Sequence, residues 1–207
     1  DKKQLKQYVN LINAQNPDLI LIGGDLIDNS DVPLKKEKME EELSNLLAPM
    51  GTYMVPGNHE YISGIKASED FIHSTPIHLL KDTVIVLPGG LQIIGRDDRH
   101  NSSRKQLSKL VQNINPQLPV ILLDHQPYDL DETVSHGIDL QFSGHTHQGQ
   151  VWPISLLVNR IFELGHGYMQ KKNTHIYVSS GLSLWGPPFR IGTNSELVVF
   201  NISFKEN

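Results

Sequence analysis

The sequence predicts an α/β protein in which sheets of mixed strand direction are stacked and covered by helices. Segments with helical and strand periodicity alternate in the first part of the chain, and strands dominate the last part. With 207 residues the chain can bury one substantial core, and its length does not require a second domain. We therefore expect residues 1–207 to form one domain.

The individual elements follow from the spacing of apolar residues and from the turn residues between them. Amphipathic spacing predicts helices over residues 2–15, 39–47, 64–72 and 103–114, the last opened by a capping box at residues 103–106. Short apolar or β-branched runs predict strands over residues 18–22, 52–55, 84–87, 91–94, 120–123, 138–142, 174–179 and 197–204. Pro88-Gly89-Gly90 predicts a hairpin turn between the third and fourth of these strands.

The composition is that of a soluble globular protein, with 38% hydrophobic and 20% charged residues. A formal net charge of -5 argues against a general nucleic-acid surface, because such surfaces are basic. The chain has no cysteine, so disulfides and thiolate metal sites are excluded. The lack of cysteine suits either side of a membrane and leaves the compartment open.

Four polar motifs follow predicted strands and carry the chemistry of this chain. They are Gly23-Gly24-Asp25-Leu26-Ile27-Asp28, Gly57-Asn58-His59-Glu60, Asp124-His125-Gln126-Pro127 and Gly144-His145-Thr146-His147. Groups at the carboxyl ends of neighbouring strands in an open α/β sheet converge on one crevice. We therefore expect one polar pocket built from Asp, Asn and His side chains.

The residue types in this pocket indicate a metal site. The carboxylate of Asp25 follows a glycine and precedes an apolar pair, where burial is costly unless the group is paired or metal-bound. Its two oxygens can bridge two cations, Asn58 offers an amide oxygen, and His125, His145 and His147 offer ring nitrogens. Such ligands suit Mn, Fe, Zn or Co. Each motif alone could be an ordinary turn or a surface loop, but four at successive strand ends favour the metal site.

The four motifs, in this order, resemble the signature blocks of the calcineurin-like metallophosphoesterases. The resemblance covers residues 24–147. It implies a four-layer α/β/β/α sandwich of two mixed sheets with two divalent metal ions at the strand ends. It also implies hydrolysis of a phosphoester or pyrophosphate bond by attack of a metal-bound hydroxide, with manganese as the expected metal and Fe, Zn or Co as alternatives.

The same resemblance assigns roles to single residues. It implies that Asp25 bridges the two metals and that His147 serves the second. It implies that Asn58, His125 and His145 complete the first metal site.

Two further residues take catalytic roles by this resemblance. His59 would lie over the site and contact the phosphate or protonate the leaving oxygen. Asp28 would hydrogen-bond His59 and orient its ring, as a carboxylate often does for a working histidine.

One departure from the family pattern bears on the second metal. The family opens with an Asp-x-His block on its first strand, and that block supplies two ligands of the metal that His147 would share. No such block precedes the first helix here, because Asp1 lies in a Lys-rich helical start. We therefore expect an N-terminally truncated domain without its first strand, in which only Asp25 and His147 serve the second metal.

Two arginines are candidates for binding the substrate phosphate. Arg96 follows the strand at residues 91–94, and Arg190 closes the segment Gly186-Pro187-Pro188-Phe189-Arg190. Either guanidinium could clamp a phosphate with two hydrogen bonds. For Arg96, a surface ion pair with the adjacent acids is the alternative.

The segment from Val151 to Leu164 is unusually apolar for a loop after a catalytic turn. It is too short to span a bilayer, which takes about 20 apolar residues. It could form a buried helix or a lid over the site, or a surface for a lipid or membrane interface. The last third of the chain also resembles a membrane-anchored bacterial branch of the family. That resemblance implies a lipid-linked substrate and a location at a bacterial membrane.

Two functions of different classes therefore remain open. The first is a metal-dependent phosphoesterase. The second is a non-catalytic metal-binding or interaction domain that lacks the first ligand block. Monoesters, diesters and pyrophosphates all suit such a centre, so the sequence leaves the substrate open.

Overall fold

The computed structural model describes residues 1–203 and contains two β-sheets. The smaller sheet has three parallel strands in the order β1 (Ile20–Ile22), β2 (Thr52–Met54) and β3 (Ile77–Leu79). The strands of the larger sheet are β4 (Thr83–Val86), β5 (Gln92–Gly95), β6 (Val120–Leu123), β7 (Leu140–Ser143), β8 (Gly167–Lys171) and β9 (Thr174–Val178). They are ordered β4-β5-β6-β7-β9-β8, and the two outermost pairs are antiparallel while the central pairs are parallel.

Helices precede or connect most of these strands. They are α1 (Lys2–Asn13), α2 (Val32–Lys36), α3 (Met39–Leu43), α4 (Asn58–Ile62), α5 (Ile65–His73), α6 (Leu107–Leu110), α7 (Leu130–Ser135) and α8 (Ile154–Ile161). Helix α1 begins where the carboxylate of Asp1 accepts a hydrogen bond of 2.8 Å from the backbone N–H of Gln4. This is an N-cap, which satisfies one of the free N–H groups of the first turn.

Three apolar clusters define four layers. One lies between the two sheets and includes Val55, Ile93 and Leu123. The second packs α1, α3 and α5 on the smaller sheet around Phe71, and the third packs α6 on the larger sheet around Leu107. Burial of these apolar faces is the main stabilising contribution to such a layered domain. The order helix, sheet, sheet, helix confirms the predicted sandwich, although the smaller sheet is purely parallel within residues 1–203.

Most strands predicted from the sequence lie within two residues of their expected bounds, and the deviations have physical causes. The two strands that were not predicted, β3 and β8, are edge strands of their sheets.

The predicted capping box at residues 103–106 is wrong, because α6 begins only at Leu107. Lys105 donates its backbone N–H to Asp82 over 2.7 Å, and this contact with another segment holds the chain outside the helix.

The predicted last strand is also absent from the described residues. Residues 197–203 lie outside any strand, and residue 204 lies outside the described residues. The edge of β1 that faces away from β2 likewise has no strand partner within residues 1–203. Between β1, α1 and residues 196–202 lies a cavity of about 790 Å³ that reaches Asp25 and His147 at one end. We call it the β1 cavity.

Candidate metal centre

Asp25 occupies the turn directly after β1 and is tightly enclosed there. It has a left-handed backbone conformation, with φ of 57°. Its Oδ1 accepts the backbone N–H of His59 over 2.9 Å. A Cβ atom at Gly57 would lie 2.1 Å from that same Oδ1, and one at Gly24 would lie 2.6 Å from Nδ1 of His125. Gly24 and Gly57 are therefore required by the close approach of the candidate ligand side chains.

The four strand ends converge as the sequence predicts. Potential ligand atoms of Asp25, His125 and His145 all lie within 4.8 Å of one another. Asn58, the first residue of α4, adds its Oδ1 at 3.1 Å from Nε2 of His125 and 2.8 Å from Nδ1 of His145. Three ring or carboxylate groups and one amide oxygen thus surround a single position.

The hydrogen bonds of His125 test whether these residues fit a cation. Its Nδ1 lies 2.7 Å from the carbonyl oxygen of Gly23, so Nδ1 carries the proton. Its Nε2 then faces Oδ2 of Asp25 at 3.0 Å and Oδ1 of Asn58 at 3.1 Å, and all three atoms are acceptors. Only a second proton or a cation can lie among three acceptors. The residues fit a divalent metal ion.

The pKa values of Asp25 and His125 agree with a site that accepts a cation. Burial alone would raise the pKa of Asp25, but the hydrogen bond and charge of His125 outweigh it and lower the pKa to about 2. Burial alone would lower the pKa of His125, yet Asp25 raises it to about 9. A proton on His125 therefore occupies the place that a cation would take, because the site contains a carboxylate that stays ionised.

The two histidines of the last motif have the opposite shift. Burial and the neighbouring His125 lower the pKa of His145 to about 4. Burial is also the largest cause for His147, whose pKa is lowered to about 4. Both rings are neutral at pH 7 and offer a lone pair, as metal binding requires. The Nδ1 atom of His147 is buried without a hydrogen-bond partner in the described part of the chain.

Glu60 ties two of the ligand loops together. Its side chain is fully buried, and it accepts backbone N–H groups from Asp25 at 2.9 Å, Ile27 at 2.9 Å and Gly57 at 2.7 Å. Burial and the charge of Asp25 raise its pKa to about 7. The sequence predicts that Glu60 lies behind the metal ligands and contacts no metal itself, but it does not predict these backbone hydrogen bonds. The available signal was its position three residues after Gly57, the spacing at which an acid caps a helix start.

His59, in the first turn of α4, is paired with Asp28. Nδ1 of His59 is 2.8 Å from Oδ1 of Asp28 and 3.0 Å from the backbone oxygen of the same residue. Asp28 is more than half exposed, and Asn29 donates to its other carboxylate oxygen over 2.6 Å. The sequence-predicted pairing of these two side chains is thus geometrically satisfied.

Arg96 lies in a buried ion cluster and is not free at the pocket. Its Nη1 is 3.3 Å from Oδ2 of Asp124, which Arg104 also contacts, and 3.6 Å from Glu132. A further donor of Arg96 binds the carbonyl oxygen of Lys105 over 3.0 Å. This arrangement differs from both the phosphate clamp and the surface ion pair considered from the sequence. It fixes the side chain of Asp124, immediately before the candidate ligand His125.

Arg190 reaches the site but its donors are used by the protein. The guanidinium binds the carbonyl oxygens of His147 at 3.0 Å, Ser180 at 2.7 Å and Ser183 at 3.0 Å. It also donates to Ser195 over 3.1 Å. With its donors occupied by carbonyl and hydroxyl oxygens, Arg190 holds the His147 turn to a neighbouring loop. This geometry does not support a direct contact between Arg190 and a phosphate.

Residues 151–164 form α8 and its flanks, and their apolar side chains are mostly exposed. The exposed ones are Trp152, Ile154, Leu156, Leu157 and Ile161. Val158 and Phe162 face inward, and the ring of Phe162 lies 6.0 Å from that of His145. The alternative of a buried helix is therefore wrong for this segment. Among the residues that the structure describes, none of the helices has the length and apolarity needed to cross a bilayer.

Comparison with known proteins adds a family match. Residues 2–149 match the family model of the calcineurin-like phosphoesterases. The chain is 38% identical over 200 residues to an uncharacterised metallophosphoesterase of Helicobacter pylori, covering 94% of this chain and 53% of that protein. It is 34% identical to a Campylobacter jejuni metallophosphoesterase, covering 98% and 55%. The chain therefore spans about half the length of these relatives.

Solved structures show the same fold at low sequence identity. A 5'-nucleotidase precursor from Thermus thermophilus superposes with a TM-score of 0.52 at 15% identity, covering 86% of this chain and 42% of that one. The protein TT1561 of the same organism gives a TM-score of 0.51 at 15% identity, covering 85% and 82%. At this identity the likeness concerns the fold alone.

Proposed function

The chain belongs to the calcineurin-like phosphoesterase family, and from this membership we propose that it is a metal-dependent phosphoesterase with two divalent cations in its pocket. The observation that carries the proposal is the group of Asp25, Asn58, His125 and His145. Their acceptor atoms point at one another around His125 Nε2, an arrangement that a cation would stabilise. The alternative, a non-catalytic metal-binding domain, shares this pocket but would not use His59.

Each residue of the pocket has a distinct task in this proposal. Asp25, Asn58, His125 and His145 would hold one cation, and Asp25 with His147 would contribute to the second. When bound, such cations supply Lewis acidity that neutralises phosphoryl charge and activates water. The oxygen and imidazole ligands support manganese as the native metal, with Fe, Zn or Co as alternatives.

His59 would act on the substrate and not on the metals. Its backbone N–H fixes Oδ1 of Asp25, and its Nδ1 is held by Asp28, which leaves Nε2 of the ring for the pocket. From there the ring would contact the phosphate or give a proton to the leaving oxygen. Asp28 keeps the ring in this tautomer and orientation.

We also propose that an extended segment from outside residues 1–207 fills the β1 cavity and completes the second metal site. Support comes from the open edge of β1 and from the lack of strand structure in residues 197–203. A strand between them would pair with β1 and end near the buried, unpartnered Nδ1 of His147. Pairing of that edge would satisfy backbone groups that are costly to leave buried without partners.

The experiment compares the 207-residue chain with a chain extended by the residues encoded upstream. We expect the short form to bind one manganese ion tightly and the second weakly, and to hydrolyse an aryl phosphate slowly. The extended form should melt at a higher temperature and turn over faster. Equal melting and turnover would show that the second metal has other ligands. Two tightly bound metals without hydrolysis of any monoester, diester or pyrophosphate would favour the non-catalytic domain.

The exposed apolar side chains of α8 support a lipid-linked substrate at a membrane surface. Leu157 and Ile161 are 56% and 54% exposed and lie one helical turn apart. Large exposed apolar patches on soluble domains often mark interaction sites, and amphipathic helices of this kind bind the membrane interface. Phe162 links the end of this helix to the ligand His145, so a docked lipid surface would adjoin the pocket.

Vesicle binding tests this finer proposal. The double variant Leu157→Glu, Ile161→Glu should lose at least about tenfold in co-sedimentation with phospholipid vesicles, because burying each side chain is worth roughly 1.5–3 kcal/mol. Leu47→Glu is the matched control, since Leu47 is 67% exposed and precedes β2 in the other sheet. If the unaltered chain stays in the supernatant, or if all three proteins sediment alike, the membrane proposal is wrong.

A further inference from the structure

The loop at residues 180–190 is fastened to the His147 turn at two points. The first is Gln150, a buried side chain whose Oε1 accepts the backbone N–H of Trp185 over 2.7 Å. Its amide nitrogen donates to the carbonyl oxygens of Trp185 and Pro187, the latter over 3.0 Å. Both backbone groups of Trp185 are thereby fixed by one side chain.

The second point is Arg190. Its guanidinium bridges the carbonyl oxygens of Ser180 and Ser183 to that of His147. The residues on either side of Trp185 therefore cannot move independently of the turn that carries His147. Trp185 is held at a set position relative to the pocket.

That position is a wall of the proposed active site. The indole ring of Trp185 lies 6.4 Å from the ring of His147, nearly parallel to it at 24°. It also lies 6.4 Å from the ring of His59, edge-on at 82°. The side chain is 48% exposed, so part of the ring remains open to a ligand. His59 and His147, which have different roles in the proposed function, thus both lie beside the ring of Trp185.

We infer that Trp185 binds the leaving group of the substrate and favours one with a flat, unsaturated ring next to the phosphoester oxygen. The inference rests on the proposed function, in which His59 acts at the leaving oxygen. A group that departs toward His59 passes beside the indole. Flat rings pack on indole with more contact and better quadrupole complementarity than aliphatic chains do. The expected preference for an aromatic over a small aliphatic group is about tenfold in affinity.

Phosphonates test this without requiring turnover. The chain contains two tryptophans, so Trp152→Phe leaves Trp185 as the one tryptophan that reports by fluorescence. In the zinc-loaded Trp152→Phe variant, phenylphosphonate should change the emission and bind about tenfold more tightly than methylphosphonate. Calorimetry on Trp185→Ala should show that this preference is lost while the zinc content is unchanged. Trp185→Phe should keep most of the preference, because a ring remains.

Trp152→Ala is the matched control, since that tryptophan is exposed on the flank of α8. It should keep the full preference. Equal binding of the two phosphonates by the unaltered chain, binding of neither, or retention of the preference by Trp185→Ala would each overturn the inference. Preferential binding without hydrolysis of any phosphoester would show that Trp185 binds flat rings beside the site but would refute the proposed catalytic function, and with it the leaving-group role. Hydrolysis of a phosphoester without a preference for phenylphosphonate would support the proposed catalytic function and refute the role of Trp185.

Discussion

Replacement of Asp25 by asparagine should remove most of the bound metal and nearly all hydrolysis. Asparagine retains the shape of the side chain but carries no negative charge. That charge lies on the carboxylate whose Oδ2 is 3.0 Å from Nε2 of His125, among the candidate ligand atoms. Loss of residues that merely support a metal ligand costs about 10–100-fold in affinity, so loss of a carboxylate proposed to bind both metals should cost at least about 100-fold. Elemental analysis and turnover of an aryl phosphate measure the two effects.

Asp70→Asn provides the control, because Asp70 is an exposed carboxylate on α5. It should retain both metal and turnover. Thermal melting of the two metal-free variants shows whether the domain remains folded. A folded Asp25→Asn protein with full metal content would contradict the bridging role and require another residue to carry it.

His59→Ala should separate chemistry from metal binding. We expect metal content close to that of the unaltered protein and turnover slower by about 10²–10⁴-fold, the usual contribution of a general acid or base. Asp28→Asn should have a smaller effect. The backbone oxygen of Asp28 lies 3.0 Å from Nδ1 of His59, so the ring keeps one of its two partners in that variant.

His73→Ala is the matched control, because His73 is exposed at the end of α5. It should be neutral in both measurements. If His59→Ala lost its metal instead, His59 would be a ligand and its assignment to the substrate would be wrong. Recovery of turnover by added imidazole would strengthen the proposed proton transfer.

The sequence predicts the centre of this fold well because its signals there are local. Strand β6 is a run of four buried apolar residues, and the polar motif at Asp124 follows it directly. The same adjacency of strand and motif holds for β1 and β7, so the convergence of their ends follows from sheet geometry. The pattern at Leu107 and Leu110 similarly predicts a helix face, although α6 is much shorter than expected.

What the sequence does not predict depends on contacts between distant segments. Arg96 pairs with Asp124, 28 residues away, and nothing near Arg96 in the chain indicates that it is buried. Gln150 and Arg190 are 35 and 43 residues from the groups they bind, Trp185 and His147. The role of such side chains is set by where the sheets place them, and periodicity carries no information about that.

The three hydrogen bonds to Glu60 also bear on how relatives of this protein can diverge. They anchor both ends of the chain between Ile27 and Gly57, so that the separation of these ends does not depend on the path taken between them. The free energy of closing a loop grows only slowly with its length. An exposed turn such as residues 37–38 can therefore gain or lose residues while Asp25 and Asn58 keep their spacing. The positions of Asp25 and Asn58 therefore do not depend on this exposed segment, whose sequence can change to suit new binding partners.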